Sequence, residues 1–205
     1  MRSREHEEER MSIIEPVDRG TSRVRRVRGS LGVAIFAITA LGTGWSGCGE
    51  RSAQAQAVDA LGRADRRIEA ADRSVETGDK AVEAALHANP AAKPLLMQAD
   101  RAIEQADREV ESADRTVERS LAQARNNDLT SADQTIEQAD RLVEASDRAI
   151  EESDRLVETA LKGATGTRRA AVARADQAVE RADKAIEGAD REVESADRAV
   201  EQAAG

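Results

Sequence analysis

Apolar residues recur along most of the chain with alternating spacings of three and four positions. The run Ile68, Ala71, Val75, Gly78, Val82 shows the pattern, in which β-branched residues alternate with small ones. A mean spacing of about 3.5 residues keeps these positions on one stripe of a helix and indicates a left-handed coiled-coil seam. The pattern therefore predicts an all-α fold.

A seven-residue unit generates this stripe: a small residue, Asp, a polar residue (mostly Arg or Lys), any residue, Val or Ile, Glu, and any residue. Fourteen copies begin at 64, 71, 78, 99, 106, 113, 132, 139, 146, 153, 175, 182, 189 and 196. The seam positions a are Ile68, Val75, Val82, Ile103, Val110, Val117, Ile136, Val143, Ile150, Val157, Val179, Ile186, Val193 and Val200. The alanines at seam positions d are Ala64, Ala71, Ala99, Ala106, Ala113, Ala132, Ala139, Ala175, Ala182, Ala189 and Ala196.

Three breaks divide the repeat, at residues 89–94, 126–131 and 162–167. Pro90 and Pro94 each lack an amide hydrogen and disfavour helix at the preceding residue. The second break offers Thr130 or Ser131 as an N-cap, and the third offers a glycine C-cap signal followed by Thr167 as an N-cap. The helical domain is therefore predicted at 53–204, with helices at about 53–88, 95–125, 131–161 and 168–204.

Helices of similar length with short connections favour an antiparallel four-helix bundle. The alternative is an extended coiled-coil oligomer, in which each helix pairs with another chain. Leu142 and Leu156 at position g, and leucines near the helix ends, are expected to widen or cap the core. Because each buried Val or Ile contributes only ~1.5–3 kcal/mol against ~1–2 kcal/mol of backbone entropy per ordered residue, the monomer should be marginally stable.

Charged residues follow the same period, with Glu at b, Asp at e and mostly Arg or Lys at f. Pairs such as Glu69–Arg73, Glu104–Arg108 and Glu194–Arg198 have the favourable i,i+4 order, at ~0.3 kcal/mol each. Asp72 and Glu76, also four apart, repel each other, so the pattern serves more than helix stability. We interpret the charges as a solvated outer face; a cation-binding stripe is the alternative.

The N-terminal region has the order of a secretory signal. Arginines at 19–28 are followed by the apolar run Leu31–Leu41, which is about half the ~20 residues that a membrane span needs. Residues 1–47 are therefore predicted to be a signal segment and residues 48–52 a short tether. Such a segment sends the remaining chain out of the cytoplasm.

The sequence Trp45-Ser46-Gly47-Cys48 resembles the lipobox of bacterial lipoproteins. That resemblance implies a cleaved signal, acyl chains such as palmitate on Cys48, and a lipid-anchored location in the bacterial cell envelope. Ordinary cleavage after the stretch Ala53–Ala55, giving a secreted protein, and an uncleaved single-pass anchor are the two alternatives.

The alanine-rich heptads behind such a cysteine loosely resemble the major outer-membrane lipoprotein class of Gram-negative bacteria. That resemblance implies alanine-zipper helices that assemble into trimeric rods. The partners expected for the chain are a membrane, reached through the lipid on Cys48, and a second copy of the chain or another envelope protein.

Several classes of chemistry lack the residues they need. A net charge of −9 argues against nucleic acid as a partner, and Phe36 and Trp45 are the only aromatic residues. Glu83 and His87 stand four apart, but a metal site needs further converging ligands. We assign no catalytic, cofactor-binding or metal-binding residue. The predicted function is a non-enzymatic spacer or scaffold; the alternative is a stress-related module whose amphipathic helices bind lipid or client proteins.

Overall fold

The computed structural model describes residues 47–205, with side chains from residue 53 onwards. Its four helices are α1 (Gly47–Ala88), α2 (Lys93–Arg125), α3 (Leu129–Gly163) and α4 (Gly166–Ala204). A 3₁₀ turn at Pro90–Ala92 lies between α1 and α2. No strand occurs in this part of the chain, so the prediction of an all-α helical bundle is confirmed. The signal segment predicted at 1–47 lies outside the described residues except for Gly47.

The helix ends differ from the prediction in three places. Residues 48–52 belong to α1 rather than to a tether, because the alanine-rich stretch that follows propagates helix backwards. Pro94 lies inside the first turn of α2, where its missing amide hydrogen has no intrahelical partner to lose. The predicted N-caps are also wrong: Asp128 caps α3 by accepting a hydrogen bond from the Ser131 amide at 3.3 Å, and Thr165 occupies the N-cap of α4.

Each helix packs along two neighbours in an antiparallel ring. The most extensive contacts are between α1 and α4 and between α2 and α3, followed by α3 with α4 and α1 with α2. Antiparallel packing is seen where the Gln54 side chain of α1 donates to the Ala124 carbonyl near the end of α2, at 2.9 Å. The start of α1 therefore lies at the same end of the bundle as the α2–α3 turn.

The predicted seam forms the core of this bundle. All fourteen a-position residues and all eleven d-position alanines are at most 2% exposed. Leu142 and Leu156 are partly buried against this core, as are Leu86, Leu95 and Leu161 at the helix ends. The apolar stripes of the four helices are therefore covered by one another within a single chain.

Small residues at position d allow close approach within two of the helix pairs. Between α2 and α3, Ser146 Oγ donates to the Ala106 carbonyl at 3.3 Å and Ser120 Oγ donates to the Ala132 carbonyl at 2.8 Å. A serine side chain reaches the backbone of another helix only when the two helices pack closely. Between α1 and α4, a Cβ on Gly78 would lie 3.7 Å from the Ala178 carbonyl oxygen. We call α1/α4 and α2/α3 the seam pairs.

Gly78 also lies against Ile103 of α2, since a Cβ there would be 2.6 Å from Ile103 Cδ1. We expect Gly78→Ala to lower the free energy of unfolding by about 1 kcal/mol, because overpacking exceeds the gain in helix propensity. In an Ile103→Val background the same change should stabilise the bundle, giving a coupling of ~1–2 kcal/mol in a denaturant-based double-mutant cycle.

Gly188 of α4 provides the matched control for this cycle, because a Cβ added there meets nothing within 4 Å. Gly188→Ala should stabilise the bundle by about 1 kcal/mol in both backgrounds. If Ile103→Val altered the stability effects of Gly78→Ala and Gly188→Ala by the same amount, the close contact between Gly78 and Ile103 would be contradicted.

Candidate functional site

The aspartates at position e lie between helices rather than on the outer face. All fourteen are buried or half-buried, and Asp79 and Asp114 are only 7% exposed. The interpretation of a solvated outer face therefore holds for the arginines and for nearly all the glutamates of the repeat, but it is wrong for the aspartates. In an antiparallel pair the e positions of one helix face those of its neighbour, which places these carboxylates in shared grooves.

The carboxylates face each other in register across two grooves. Between α3 and α4, four pairs of aspartates repel each other. The pairs are Asp133 with Asp197, Asp140 with Asp190, Asp147 with Asp183, and Asp154 with Asp176. Between α1 and α2, Asp72 is coupled to Asp107. The heptad spacing places Asp65 opposite Asp114 and Asp79 opposite Asp100 in the same register. We call these two rows the aspartate ladders.

Asp72 is a strongly perturbed group of the α1/α2 ladder. Burial raises the pKa of its carboxyl group to about 6, assisted by repulsion from Asp107 and Glu111 of α2 and from Glu76 of α1. A carboxylate in this position loses hydration and gains like-charged neighbours, and both effects disfavour the ionised form. Asp72 therefore takes up a proton in mildly acidic solution.

Asp183 has the same role in the α3/α4 ladder. Burial raises the pKa of Asp183 to about 6, and Asp147, Asp154 and Glu151 of α3 add repulsion together with Glu187 of α4. Two separate grooves thus contain a carboxyl group that titrates between pH 4 and pH 7.

Eight other aspartates of the ladders have a pKa shifted in the same direction. Burial is the largest cause of the raised pKa at each of Asp100, Asp133, Asp140, Asp147, Asp154, Asp176, Asp190 and Asp197. Arg101, Arg141 and Arg148 oppose the shifts of Asp100, Asp140 and Asp147, but the repulsion and the burial outweigh them.

Several cations next to the ladders form ion pairs with glutamates on the outer face. Lys184 Nζ lies 2.7 Å from Glu180 Oε1, and Arg73 Nη1 lies 3.7 Å from Glu69 Oε2. The three i,i+4 pairs expected from the sequence all form, at 3.7–3.8 Å, with their charged side chains exposed. These cations are therefore directed towards glutamates rather than into the grooves.

The other candidate residues lie apart from the ladders. His87 is exposed and lines a cleft of about 210 Å³ with Leu86, Pro90 and Lys93. Cys48 is the second residue of α1, and its side chain lies outside the described part. Within residues 47–205, no group of three or more His, Cys, Asp or Glu side chains has an arrangement that could hold a metal ion.

The described residues thus form an antiparallel four-helix bundle with acidic grooves between two pairs of its helices. Comparisons with protein-family models, with curated proteins and with solved structures gave no match to this chain. None of the helices in the described part has an apolar stretch long enough to cross a bilayer.

Sequence reasoning missed two features of this site. It placed Asp on the outer face because it treated the helices as a seam with a surface, whereas a helix in a ring of four has neighbours on both flanks. It also treated the serines at position d only as small residues, and did not predict that Ser120 and Ser146 donate hydrogen bonds between helices. The repeat contained part of the signal for the ladders, because two antiparallel helices that meet at their e flanks bring Asp opposite Asp.

Proposed function

We propose that the protein is a non-enzymatic helical spacer or scaffold of the bacterial cell envelope, anchored by acyl chains on Cys48. The observation that carries this proposal is that the apolar seam residues of all four helices are buried within one bundle. Among the described residues, Met97 is the one large hydrophobic side chain that is exposed, at 36%. A closed core with ion pairs outside is typical of a stable rod and leaves no wide apolar face for a membrane or client.

The direction of the bundle fits an anchor at its N-terminal end. The hydrogen bond from Gln54 to Ala124 places the start of α1 beside the α2–α3 turn, and the two linkers lie at the opposite end. Helices of 33–42 residues are about 50–60 Å long at ~1.5 Å per residue. A lipid on Cys48 would hold one end at the membrane and project the linkers by about that distance.

The anchor is tested by intact-mass analysis of the full chain from a membrane fraction of bacteria. We expect a mature protein that begins at Cys48 and carries acyl chains, since two or more chains give stable anchoring. Cys48→Ser should abolish the acylated species and leave the signal segment uncleaved. A mature N-terminus at Gln56 or Val58 without lipid, or an unmodified Cys48 in the intact chain, would contradict the lipid anchor.

Vesicle co-sedimentation of residues 49–205 distinguishes the spacer function from the alternative, an amphipathic binding module. Protein that stays in solution with anionic phospholipid vesicles supports the spacer, because its Val and Ile residues remain in the core. Binding accompanied by a rearrangement of the helices would instead favour the module, in which the bundle opens and presents its seam to lipid.

A further inference from the structure

The end of the bundle that holds both linkers carries basic side chains and no acidic ones. No Asp or Glu occurs in residues 84–99, which contain the α1–α2 linker, or in residues 159–175, which contain the α3–α4 linker. The basic residues of these two segments are all exposed: His87, Lys93, Lys162, Arg168, Arg169 and Arg174. We call this end the basic tip. It forms part of a chain whose net charge is −9.

The two segments of the basic tip lie side by side in the fold. A Cβ on Gly78 of α1 would lie 3.8 Å from Ala182 Cβ of α4, and these helices are antiparallel, so α1 ends beside the start of α4. Arg169 Nη1 of α4 donates a hydrogen bond to the Leu161 carbonyl of α3, at 3.2 Å. Because neighbouring helix axes are roughly 8–10 Å apart, the cations share a face about 20 Å across.

Most cations of the tip lack the glutamate partners that cations have along the helices. Most arginines and lysines at position f of the repeat lie 2.7–3.9 Å from a glutamate one turn earlier. At the tip, Lys162 has such a partner in Glu158, at 3.3 Å. Within residues 53–205, Lys93, Arg168 and Arg174 form no ion pair. Their charge is therefore available to an anionic partner.

Side chains determine the sign of the electrostatic potential at the tip. Two helices begin there and two end there, so the partial charges of the helix ends largely cancel. The next acidic residues along the chain are Glu83, Asp100, Glu158 and Asp176. Glu158 is paired with Lys162, and the two aspartates are half-buried between helices. The exposed face of the tip is therefore positive.

We propose that the basic tip binds a linear polymer of phosphate groups that lies opposite the anchored end of the spacer. Arg168, Arg169 and Arg174 carry planar guanidinium groups, which match the paired oxygens of a phosphate. The cleft of about 210 Å³ at this end is lined by Lys93 and His87 but by none of the arginines. Cations spread over an open face suit a chain of repeated charges better than a single ion.

Two other anionic partners fit the tip less well. A nucleic acid would present bases, and residues 47–205 contain no Phe, Tyr or Trp on which bases could stack. A membrane surface would bind apolar side chains as well as basic ones. Among the described residues, Met97 is the one large hydrophobic side chain that is exposed.

This binding site deepens the proposed function, because a spacer held at one end keeps two layers at a set distance only when its other end makes a contact. It rests on that function for the position of the tip, about 50–60 Å from the anchor. Binding itself depends on the tip and not on the lipid. A failed anchor would therefore appear in the mass at Cys48, and a failed tip would appear in the affinity for phosphate polymer.

Fluorescence anisotropy of end-labelled inorganic polyphosphate tests the tip, using residues 49–205, whose four helices bury their seam residues in one another. Arg168→Gln combined with Arg174→Gln should weaken binding about 25-fold at low ionic strength, at about fivefold for each lost cation. The slope of log Kd against log salt concentration should fall from about 3 to about 1.5, as two of four unpaired cations are lost.

Arg66→Gln combined with Arg67→Gln is the matched control. These two arginines are exposed on α1, far from the tip, and their loss changes the net charge by the same amount. We expect the control to weaken binding by less than about twofold, since screening limits the reach of surface charges. Both double variants should keep the circular dichroism spectrum of the bundle. Equal weakening by the two, or no binding of polyphosphate by the unchanged bundle, would overturn the proposal.

Competition experiments identify the chemistry of the partner. Unlabelled polyphosphate should displace the probe, whereas inorganic phosphate at the same total phosphate concentration should displace little of it. Displacement by inorganic phosphate as effective as that by the polymer would mean a site for single ions. Equal competition by polyglutamate or by anionic phospholipid vesicles, or tighter binding of single-stranded DNA, would assign the tip to a different partner. Each of these results would overturn the proposal.

Discussion

Ile150→Ala should lower the free energy of unfolding by about 3 kcal/mol, the largest effect we expect from one core substitution. Ile150 is an a-position residue of α3 with 0% exposure. Loss of its outer methyl and methylene groups removes buried apolar surface and leaves a cavity. The serines at the flanking d positions of α3, Ser146 and Ser153, are too short to fill it, so relaxation recovers little.

The measurement is urea unfolding followed by circular dichroism at pH 4.5, below the pKa of about 6 of Asp72 and Asp183. Met97→Ala in α2 is the matched control, since Met97 is 36% exposed and its truncation should change stability by less than about 0.5 kcal/mol. Similar losses for Ile150 and Met97 would mean that the seam is not enclosed. A total stability of about 5–15 kcal/mol makes the difference readily measurable.

Ala182→Leu should destabilise the bundle by about 2–3 kcal/mol through overpacking rather than through a cavity. Ala182 is 0% exposed, and its Cβ lies 3.8 Å from the place of a Cβ on Gly78. A leucine in α4 would push α1 away and weaken the seam pair along several turns. Added apolar surface in the core would thus lower the free energy of unfolding.

The control for this substitution is Ala84→Leu, at an exposed position of α1. Alanine and leucine differ little in helix propensity, so Ala84→Leu should change the urea midpoint only slightly. If Ala182→Leu left stability unchanged or raised it, the close approach of α1 and α4 would be disproved. Comparison of the two variants distinguishes the effect of close packing at the seam from the effect of added hydrophobicity on stability.

The period of the sequence was sufficient to predict the helices and the buried positions. Ile68 and Ala71 in α1, for example, are 0% and 1% exposed, as their a and d positions require. The first break was found because Pro90 and Pro94 disfavour helix, and the other two because the repeat changes phase there. Exact ends depended on local capping, and Asp128 proved a better cap than Thr130 or Ser131 because its carboxylate reaches the Ser131 amide.

The relative placement of the helices was not predictable from the period alone. A heptad assigns Asp72 to position e, but it does not say whether a neighbouring helix lies on that flank. The choice of Asp107 as the facing residue depends on the length of the linker at 89–92, which sets the register between α1 and α2. For the same reason the raised pKa of Asp72 is a property of the bundle rather than of the repeat.

The pairing of α1 with α4 has a consequence for the order of folding. The helices α2 and α3 are adjacent in the chain and joined by a short turn, so that hairpin is complete soon after it is synthesised. By contrast, α1 makes its most extensive contacts with α4, which is the last helix made. The first helix to emerge therefore keeps valines and isoleucines uncovered for most of the synthesis of the bundle. Slow translation or truncation before α4 would leave that stripe open to aggregation or to a chaperone.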